Sequence, residues 1–357
     1  MGAMVLNIIL FMLSGFLAMY SVYKRAMNKY LQSLNLNLKS LPVLYIVPLY
    51  ALAAVLAYFV AGSNDFVEPL TLPRAFLPIV FAGLIYAASI FFGGTVFVLT
   101  VATAVGITVW IQPLGIGAPF NLPFWAVRLL VFGFVVIYCL YSRIMNLLPH
   151  TFIIPNILIL IGMWILTFIG AMPLYVSLCA AALAGILFAY LNLNYYDVII
   201  PLDEGTCAVI TYLVSSLLLL NLGEFCFPSC VIFTMLFWAE LIVAICNRLF
   251  ITHSGTLSEN TYYFFAAQRH TLQVLNSNII KIGVILLFIA WFQLFAVNQY
   301  SLIIVALCIA VWLNGILGKG GIAANTFKEI NRNFISDLKQ NINEAKSLLN
   351  RTKKDDK

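Results

Sequence analysis

A short acidic segment carries the residue types best suited to chemistry. Asp203-Glu204-Gly205-Thr206 lies between two long apolar runs, in a chain with few acidic residues before its C-terminal tail. An acidic side chain at a helix start accepts hydrogen bonds from free backbone N–H groups, so helix capping is one interpretation. A hard-metal site is the other, because a carboxylate beside a phosphate can hold Mg²⁺. Spacing alone leaves both open.

A second acidic residue, Glu240, lies inside an apolar run, eight positions before Arg248. Ionisable groups inside a membrane are costly to place there, which favours a functional role. The residue is also only about 10 Å from the predicted helix end, since a helix rises about 1.5 Å per residue. Glu240 is therefore predicted either to have a functional role, or to reach the interface, or to pair with Arg248.

The basic groups suited to phosphate are Arg248, Arg269 and His270, which share the predicted loop 248–278. A guanidinium can contact a phosphate through two parallel hydrogen bonds. Histidine can act as an acid, a base or a hydrogen-bond donor near neutral pH. The alternative is that the arginines only flank membrane spans and that the histidine is a bystander.

The composition restricts what kind of protein can position these groups. The 357 residues are 63% hydrophobic and 9% charged, whereas soluble domains usually carry about 25% charged residues. The chain is thus predicted to be an all-α polytopic membrane protein. Its formal net charge of +6 comes from residues near predicted loops and the tail, which favours contact with anionic lipid or phosphate and not with nucleic acid.

Apolar runs of a length that crosses a bilayer, roughly 17–25 residues, predict about eleven transmembrane helices. The first is expected to stay in the mature protein, since no basic residue precedes it and no small-residue cleavage site follows it. The predicted spans are 4–22, 41–60, 73–92, 94–111, 123–141, 152–170, 173–191, 206–220, 228–247, 279–297 and 299–317.

The basic residues predict the orientation of these spans, because cytoplasmic loops are enriched in Lys and Arg. Lys24, Arg25 and Lys29 follow the first span, so the N-terminus is expected outside and the C-terminus in the cytoplasm. The acidic segment and all three histidines then fall on the cytoplasmic side. Arg74 and Arg128 depart from the rule and are expected to snorkel from helix ends.

The chain is expected to divide into a membrane domain, 1–317, and a cytoplasmic tail, 318–357. Apolar residues recur at helical spacing across 323–349, and Lys and Arg occupy the opposite face. This pattern predicts a basic amphipathic helix that lies on the inner leaflet or packs against a partner. A disordered tail is the alternative.

Several of these features together resemble the polyprenyl-phosphate N-acetylhexosamine-1-phosphate transferases, which include the peptidoglycan translocase. The likeness lies mainly in 120–249: a small-residue helix ending near Asn192, then Asp203-Glu204-Gly205-Thr206, then Glu240 with Arg248 eight positions later. Arg269-His270 resembles the start of the family's His-rich loop.

The resemblance implies a site and an activity. Asp203 would bind Mg²⁺ and act in catalysis with His270, while four residues would bind substrate and Glu240 would support them structurally. The substrates would be a UDP-N-acetylhexosamine and undecaprenyl phosphate, at the bacterial inner membrane in cell-envelope polysaccharide (for example lipopolysaccharide) synthesis, and the family favours a homodimer. The four substrate-binding residues are Asn146, Asn192, Arg248 and Arg269.

The sequence also departs from this family. Gly93-Gly94 stands where the family has a pair of aspartates, and the segment around Asn146 lacks two more. Transfer between two anions requires metal or cationic groups to offset their repulsion. Two alternatives therefore remain. The first is a catalytically silent relative that binds lipid phosphate or a partner enzyme. The second is a transporter, which broken spans with polar groups at the membrane midplane would support.

Overall fold

The computed structural model describes the apolar part of the chain as α-helix, with no strand in any described residue. All of these residues belong to the first of two units into which the chain separates, Met1–Leu313 and Asn314–Lys357. The predicted amphipathic segment 323–349 lies outside the described residues. The described ranges are 2–26, 41–61, 70–92, 94–112, 123–141, 149–166, 172–195, 202–220, 227–249, 272–293 and 302–310.

Twelve helices account for nearly all of the described residues, and each of them overlaps one of the predicted apolar runs. They are α1 (Gly2–Ala26), α2 (Leu41–Ala61), α3 (Leu72–Phe91), α4 (Gly94–Ile111), α5 (Phe124–Tyr141), α6 (Pro149–Leu166), α7 (Leu174–Tyr195), α8 (Glu204–Leu220), α9 (Phe227–Phe233), α10 (Met235–Asn247), α11 (Leu272–Gln293) and α12 (302–310).

Four stretches of helix in the described part are long and apolar enough to cross a membrane, in α1, α3, α4 and α7. They are Gly2–Ser21, Leu72–Phe91, Gly94–Ile111 and Leu174–Asn192. On α1, large apolar side chains such as Met12 and Phe16 are exposed, at 66% and 63%. An apolar outer surface of this kind belongs in lipid and not in water, as the composition predicts.

The centre of the bundle is formed by α7 and α8. Every residue of α8 from Gly205 to Leu220 is buried, and 83% of the α7 stretch is buried, against 22% of the α1 stretch. Around α8 pack α2, α3, α4, α5, α6 and α7. The segment predicted to carry chemistry therefore opens the most enclosed helix of the described structure.

Direct contacts fix how the helices run relative to one another. The Tyr175 hydroxyl donates to the Ala75 carbonyl at 3.1 Å, and Gly205 packs against Ser89, so α3 runs parallel to α7 and antiparallel to α8. The end of α5 is also in contact with α8, since the Cys139 thiol of α5 hydrogen-bonds with Ser215 of α8.

The orientation of α5 and α10 follows in the same way. Val131 of α5 lines a small cavity with Leu218 of α8 and Cys230 of α9. Farther along, the Tyr138 and Phe237 ring centroids are 4.8 Å apart. Both α5 and the α9–α10 pair therefore run antiparallel to α8.

These directions define two ends of the bundle. The Asp203 end comprises the end of α3 at Ser89, the end of α7 at Asn192, the start of α8 and the end of α10 at Arg248. The Arg128 end, opposite to it, comprises the start of α3 at Arg74, the end of α4 and the start of α5.

The closest helix pair is α1 with α7, which pack in parallel through small residues. A Cβ built on Gly185 would overlap the Phe11 carbonyl oxygen and the Ser14 hydroxyl, and one on Gly15 would lie 3.1 Å from the Gly185 carbonyl oxygen. The Ser14 hydroxyl also donates to the Ala182 carbonyl at 2.8 Å. Small residues allow such close backbone approach between membrane helices, as here.

The predicted ninth span, 228–247, is interrupted at Thr234, which separates α9 from α10. The Thr234 hydroxyl hydrogen-bonds to the Cys230 carbonyl at 2.9 Å, and it accepts a hydrogen bond from Trp238 Nε1 at 3.1 Å. Threonine side chains that bond to the preceding turn bend helices. Hydropathy predicts one continuous span here because it does not register such side-chain bonds.

Candidate functional site at the Asp203 end

Asp203 is the N-cap of α8. Its Oδ1 atom accepts a hydrogen bond from the Thr206 backbone N–H at 2.8 Å and another from the Thr206 hydroxyl, while its carbonyl oxygen accepts one from the Cys207 N–H at 3.1 Å. This geometry satisfies a backbone donor that the first turn otherwise leaves free. The capping interpretation is confirmed, and it occupies one carboxylate oxygen.

The cap is held against two neighbouring helices. Gly205 packs directly on Ser89 at the end of α3, and a Cβ at this position would overlap the Ser89 side chain. The Ser89 hydroxyl in turn donates to the Tyr86 carbonyl at 2.8 Å. Tyr190 of α7 lies within electrostatic reach of Asp203. The start of α8 is thus fixed from both sides, and Asp203 is half-buried while the next residue, Glu204, is exposed.

Two other predicted site residues lie at the same end of the bundle. Asn192 is half-exposed in the last turn of α7. Arg248 is exposed just after α10, where its backbone N–H bonds to the carbonyls of Ala244 and Ile245. The fold therefore brings an amide, two carboxylates and a guanidinium from three helices to one end.

Glu240 lies about 12 Å below this end, since it precedes Arg248 by eight helical positions. Its side chain is fully buried and takes part in an interaction within the protein. One turn earlier on α10, Phe237 contacts Tyr138, whose hydroxyl donates to Asn156 Oδ1 at 3.3 Å. Because its side chain is fully buried, Glu240 does not reach the water at the membrane interface. The functional role and the pairing with Arg248 stay predictions.

Three predicted site residues, Asn146, Arg269 and His270, lie outside the described residues. Within the part of the chain that the structure describes, no group of three or more His, Cys, Asp or Glu side chains is arranged to hold a metal ion. Adjacent carboxylates such as Asp203 and Glu204 suit Mg²⁺ when phosphate oxygens and water complete its six positions. These two carboxylates would therefore hold Mg²⁺ only together with a phosphate-bearing substrate.

The sequence interpretation missed a buried group of hydroxyls and thiols beside α8. The Thr108 and Tyr212 hydroxyls are 2.6 Å apart, and the Tyr50 hydroxyl hydrogen-bonds with Cys179 and Ser216. Polar side chains buried in this way are paired because an unpaired group would be costly. The sequence feature that could have revealed this group is the spacing of these polar residues within apolar runs. Their hydrogen bonds join α2, α4, α7 and α8 into one core.

Comparisons with known proteins add no identity to this arrangement. The chain matches no family model, and neither a curated protein nor a solved structure matches it. The resemblance to the sugar-1-phosphate transferases stays a prediction from its motifs, and the site must be judged by its own chemistry.

Proposed function

We propose that this protein is a divergent sugar-1-phosphate transferase that works at the Asp203 end of its helix bundle. The observation that supports the proposal is the meeting of Asn192, Asp203 and Arg248 at this one end, although they are far apart in the sequence. The reaction brings a lipid phosphate to a nucleotide sugar, so it needs negative groups for a metal and positive groups for phosphate at the same place.

In the proposed reaction an oxygen of undecaprenyl phosphate attacks the sugar-bearing phosphorus of a UDP-N-acetylhexosamine. A new P–O bond forms, the bond to the uridine phosphate breaks, and UMP leaves. Asp203 would bind Mg²⁺ through the oxygen that does not cap α8, with phosphate oxygens and water as further ligands. Arg248 would hold the diphosphate.

The remaining predicted site residues complete this proposal, and three of them, Asn146, Arg269 and His270, lie outside the described residues. Arg269 would join Arg248 on the diphosphate, Asn146 and Asn192 would contact substrate, and His270 would position a phosphate. Glu240 would support Arg248 from inside the bundle. Each of these roles comes from the sequence resemblance, and mutation of the residue in question tests it.

The same proposal places the protein in the bacterial inner membrane with about eleven spans, the N-terminus outside and the Asp203 end in the cytoplasm. The helix directions support this arrangement, because α3, α5, α7 and the α9–α10 pair are the odd-numbered predicted spans and all of them end at the Asp203 end. Substrate availability also supports it, since UDP-sugars are made in the cytoplasm. A homodimer is part of the proposal, as in the resembling family.

The deciding experiment measures Mg²⁺-dependent UMP release by purified protein given undecaprenyl phosphate and a panel of UDP-sugars. Asp203→Asn is the informative variant, because Asn caps helices as well as Asp but is a poor Mg²⁺ ligand. We expect a properly folded variant with at least a tenfold lower rate. Unchanged turnover in Asp203→Asn would refute the role of Asp203.

A second candidate is a catalytically silent relative that binds lipid phosphate or a partner enzyme. The capping role of Asp203 favours it, because that role explains the aspartate without any metal. Phosphate binding without UMP release from any UDP-sugar would support this candidate, whereas UMP release above background would remove it.

A further inference from the structure

The Arg128 end of the bundle carries an arrangement that the proposed function does not use. Arg128 Nη1 donates to the carbonyls of Trp110 and Val109 at 2.6 and 3.3 Å, and Arg74 Nε donates to the Ile111 carbonyl at 3.1 Å. Two guanidinium groups from α3 and α5 therefore meet on three consecutive carbonyls in the last turn of α4. These arginines do more than snorkel, since they cap that helix.

The charge of Arg128 does not balance within the described residues that contact it. A helix C-terminus carries roughly half a unit of negative charge, whereas the Arg128 guanidinium carries a full positive charge. Arg128 Nε, moreover, is buried with no hydrogen-bond partner. About half a positive charge thus remains on Arg128, which favours an anion beside it.

Aromatic rings fix the depth of this charge in the membrane. The Arg128 guanidinium lies over the Phe124 and Trp110 rings, with its carbon 4.4 and 4.8 Å from their centroids. Trp110, Phe124 and Trp125 are exposed by 72%, 61% and 64%. Exposed Trp side chains at helix ends lie at the level of lipid headgroups, where the phosphate groups also are.

From this geometry we infer a binding site for the phosphodiester headgroup of an anionic membrane lipid, formed by Arg128 with the rings of Trp110, Phe124 and Trp125. The phosphate would take the free guanidinium donors of Arg128, and the acyl chains would cover the exposed rings. This headgroup site is separate from the proposed transferase site, because it lies at the opposite end of the bundle.

The test is native mass spectrometry of protein released from nanodiscs that contain equal amounts of phosphatidylglycerol and phosphatidylcholine. The wild type is expected to retain phosphatidylglycerol at least fivefold over phosphatidylcholine. Arg128→Gln, which keeps an N–H donor for the α4 carbonyls but has no charge, is expected to lose this preference. Equal retention of the two lipids by the wild type would overturn the site.

Two further variants separate headgroup binding from loss of structure. Trp110→Leu removes a ring under the guanidinium and keeps an apolar surface, and it should lower the preference at least twofold with the charge still present. Lys281→Gln removes an exposed cation on α11, and it should leave the preference as in the wild type. Loss of preference in Lys281→Gln would make the effect one of net charge and overturn the site.

The alternative anion at Arg128 is a carboxylate of the chain itself. Asp65 and Glu68 precede α3 in the sequence and lie outside the described residues. Replacing both by their amides would leave lipid preference unchanged if the headgroup is the partner. If the double variant instead binds phosphatidylglycerol more strongly by fivefold or more, the carboxylates hold Arg128 and the inference fails.

Discussion

At the scale of single residues, Asp203 shows that one side chain can satisfy two interpretations of a motif. An acidic residue at a predicted helix start made capping one of two interpretations, and the hydrogen bond that Thr206 N–H donates to Asp203 confirms it. Metal binding through the second oxygen is a separate property that capping neither requires nor prevents. Stability and activity must therefore be measured apart.

We predict that Asp203→Ala lowers the free energy of unfolding by about 1 kcal/mol, whereas Asp203→Asn changes it by only a few tenths. The physical reason is that Asn retains an acceptor for the Thr206 N–H and Ala does not. Denaturant titration in detergent, followed by circular dichroism, measures both. Equal stability of the Ala variant and the wild type would contradict the capping role.

At position 185 we predict that Ala lowers stability by about 1–3 kcal/mol, the usual cost of forcing an extra methyl group into a packed site. The new Cβ would overlap the backbone of α1 at Phe11. Gly133→Ala on α5 is the matched control, because a Cβ there meets nothing within 4 Å. Similar thermal unfolding of the two variants would show that α1 can shift away.

At the scale of elements, helix positions were largely predictable and helix interruptions were not. The predicted span 94–111 matches α4, because apolar length alone determines it. The boundary before it was marked by Gly93-Gly94, and Gly94 has a φ of +46°, a left-handed conformation that glycine adopts easily. The interruption at Thr234 depends on side-chain hydrogen bonds that apolar counting misses.

For the α9–α10 junction we predict that Thr234→Val lowers stability by about 1–3 kcal/mol, since the half-buried Trp238 Nε1 would lose its acceptor. Thr234→Ser keeps the hydroxyl and should cost much less. Thermal unfolding of both variants, followed by circular dichroism, makes the comparison. A Val variant as stable as the Ser variant would mean that the hydroxyl does not hold the junction.

At the scale of the whole molecule, the sequence predicted helices but not which of them is central. The runs that form α1 and α8 are both apolar, yet α1 faces outward and α8 is enclosed. Hydropathy cannot separate the two because lipid and protein interior are both apolar surroundings. The hydroxyls of Thr211, Ser215 and Ser216 on α8 are the sequence feature that distinguishes them.

The candidate site was predictable in the same limited sense. The motif residues Asn192, Asp203 and Arg248 were chosen from sequence, and the fold places all three at one end. Their neighbours Ser89 and Tyr190 were not chosen, because only packing brings α3 and α7 to the start of α8. The contributions of Asn146, Arg269 and His270 stay predictions.

The two-ended arrangement itself leads to a prediction. In a chain without other cysteines, Pro123→Cys and Arg248→Cys place single thiols at opposite ends of the bundle, both at exposed positions. In spheroplasts a membrane-impermeant maleimide should label the thiol at position 123 and leave the one at 248 unlabelled until the cells are lysed. Labelling of both thiols before lysis would contradict the proposed orientation.

The enclosure of α8 has a consequence for how the protein is made. Its principal neighbours, α2 to α7, all precede it in the chain. A ribosome therefore delivers α8 when the helices that surround it already exist, and domains generally fold from the N-terminus during synthesis. The hydroxyls of α8 can therefore pair with the helices that are already present as soon as α8 enters the membrane.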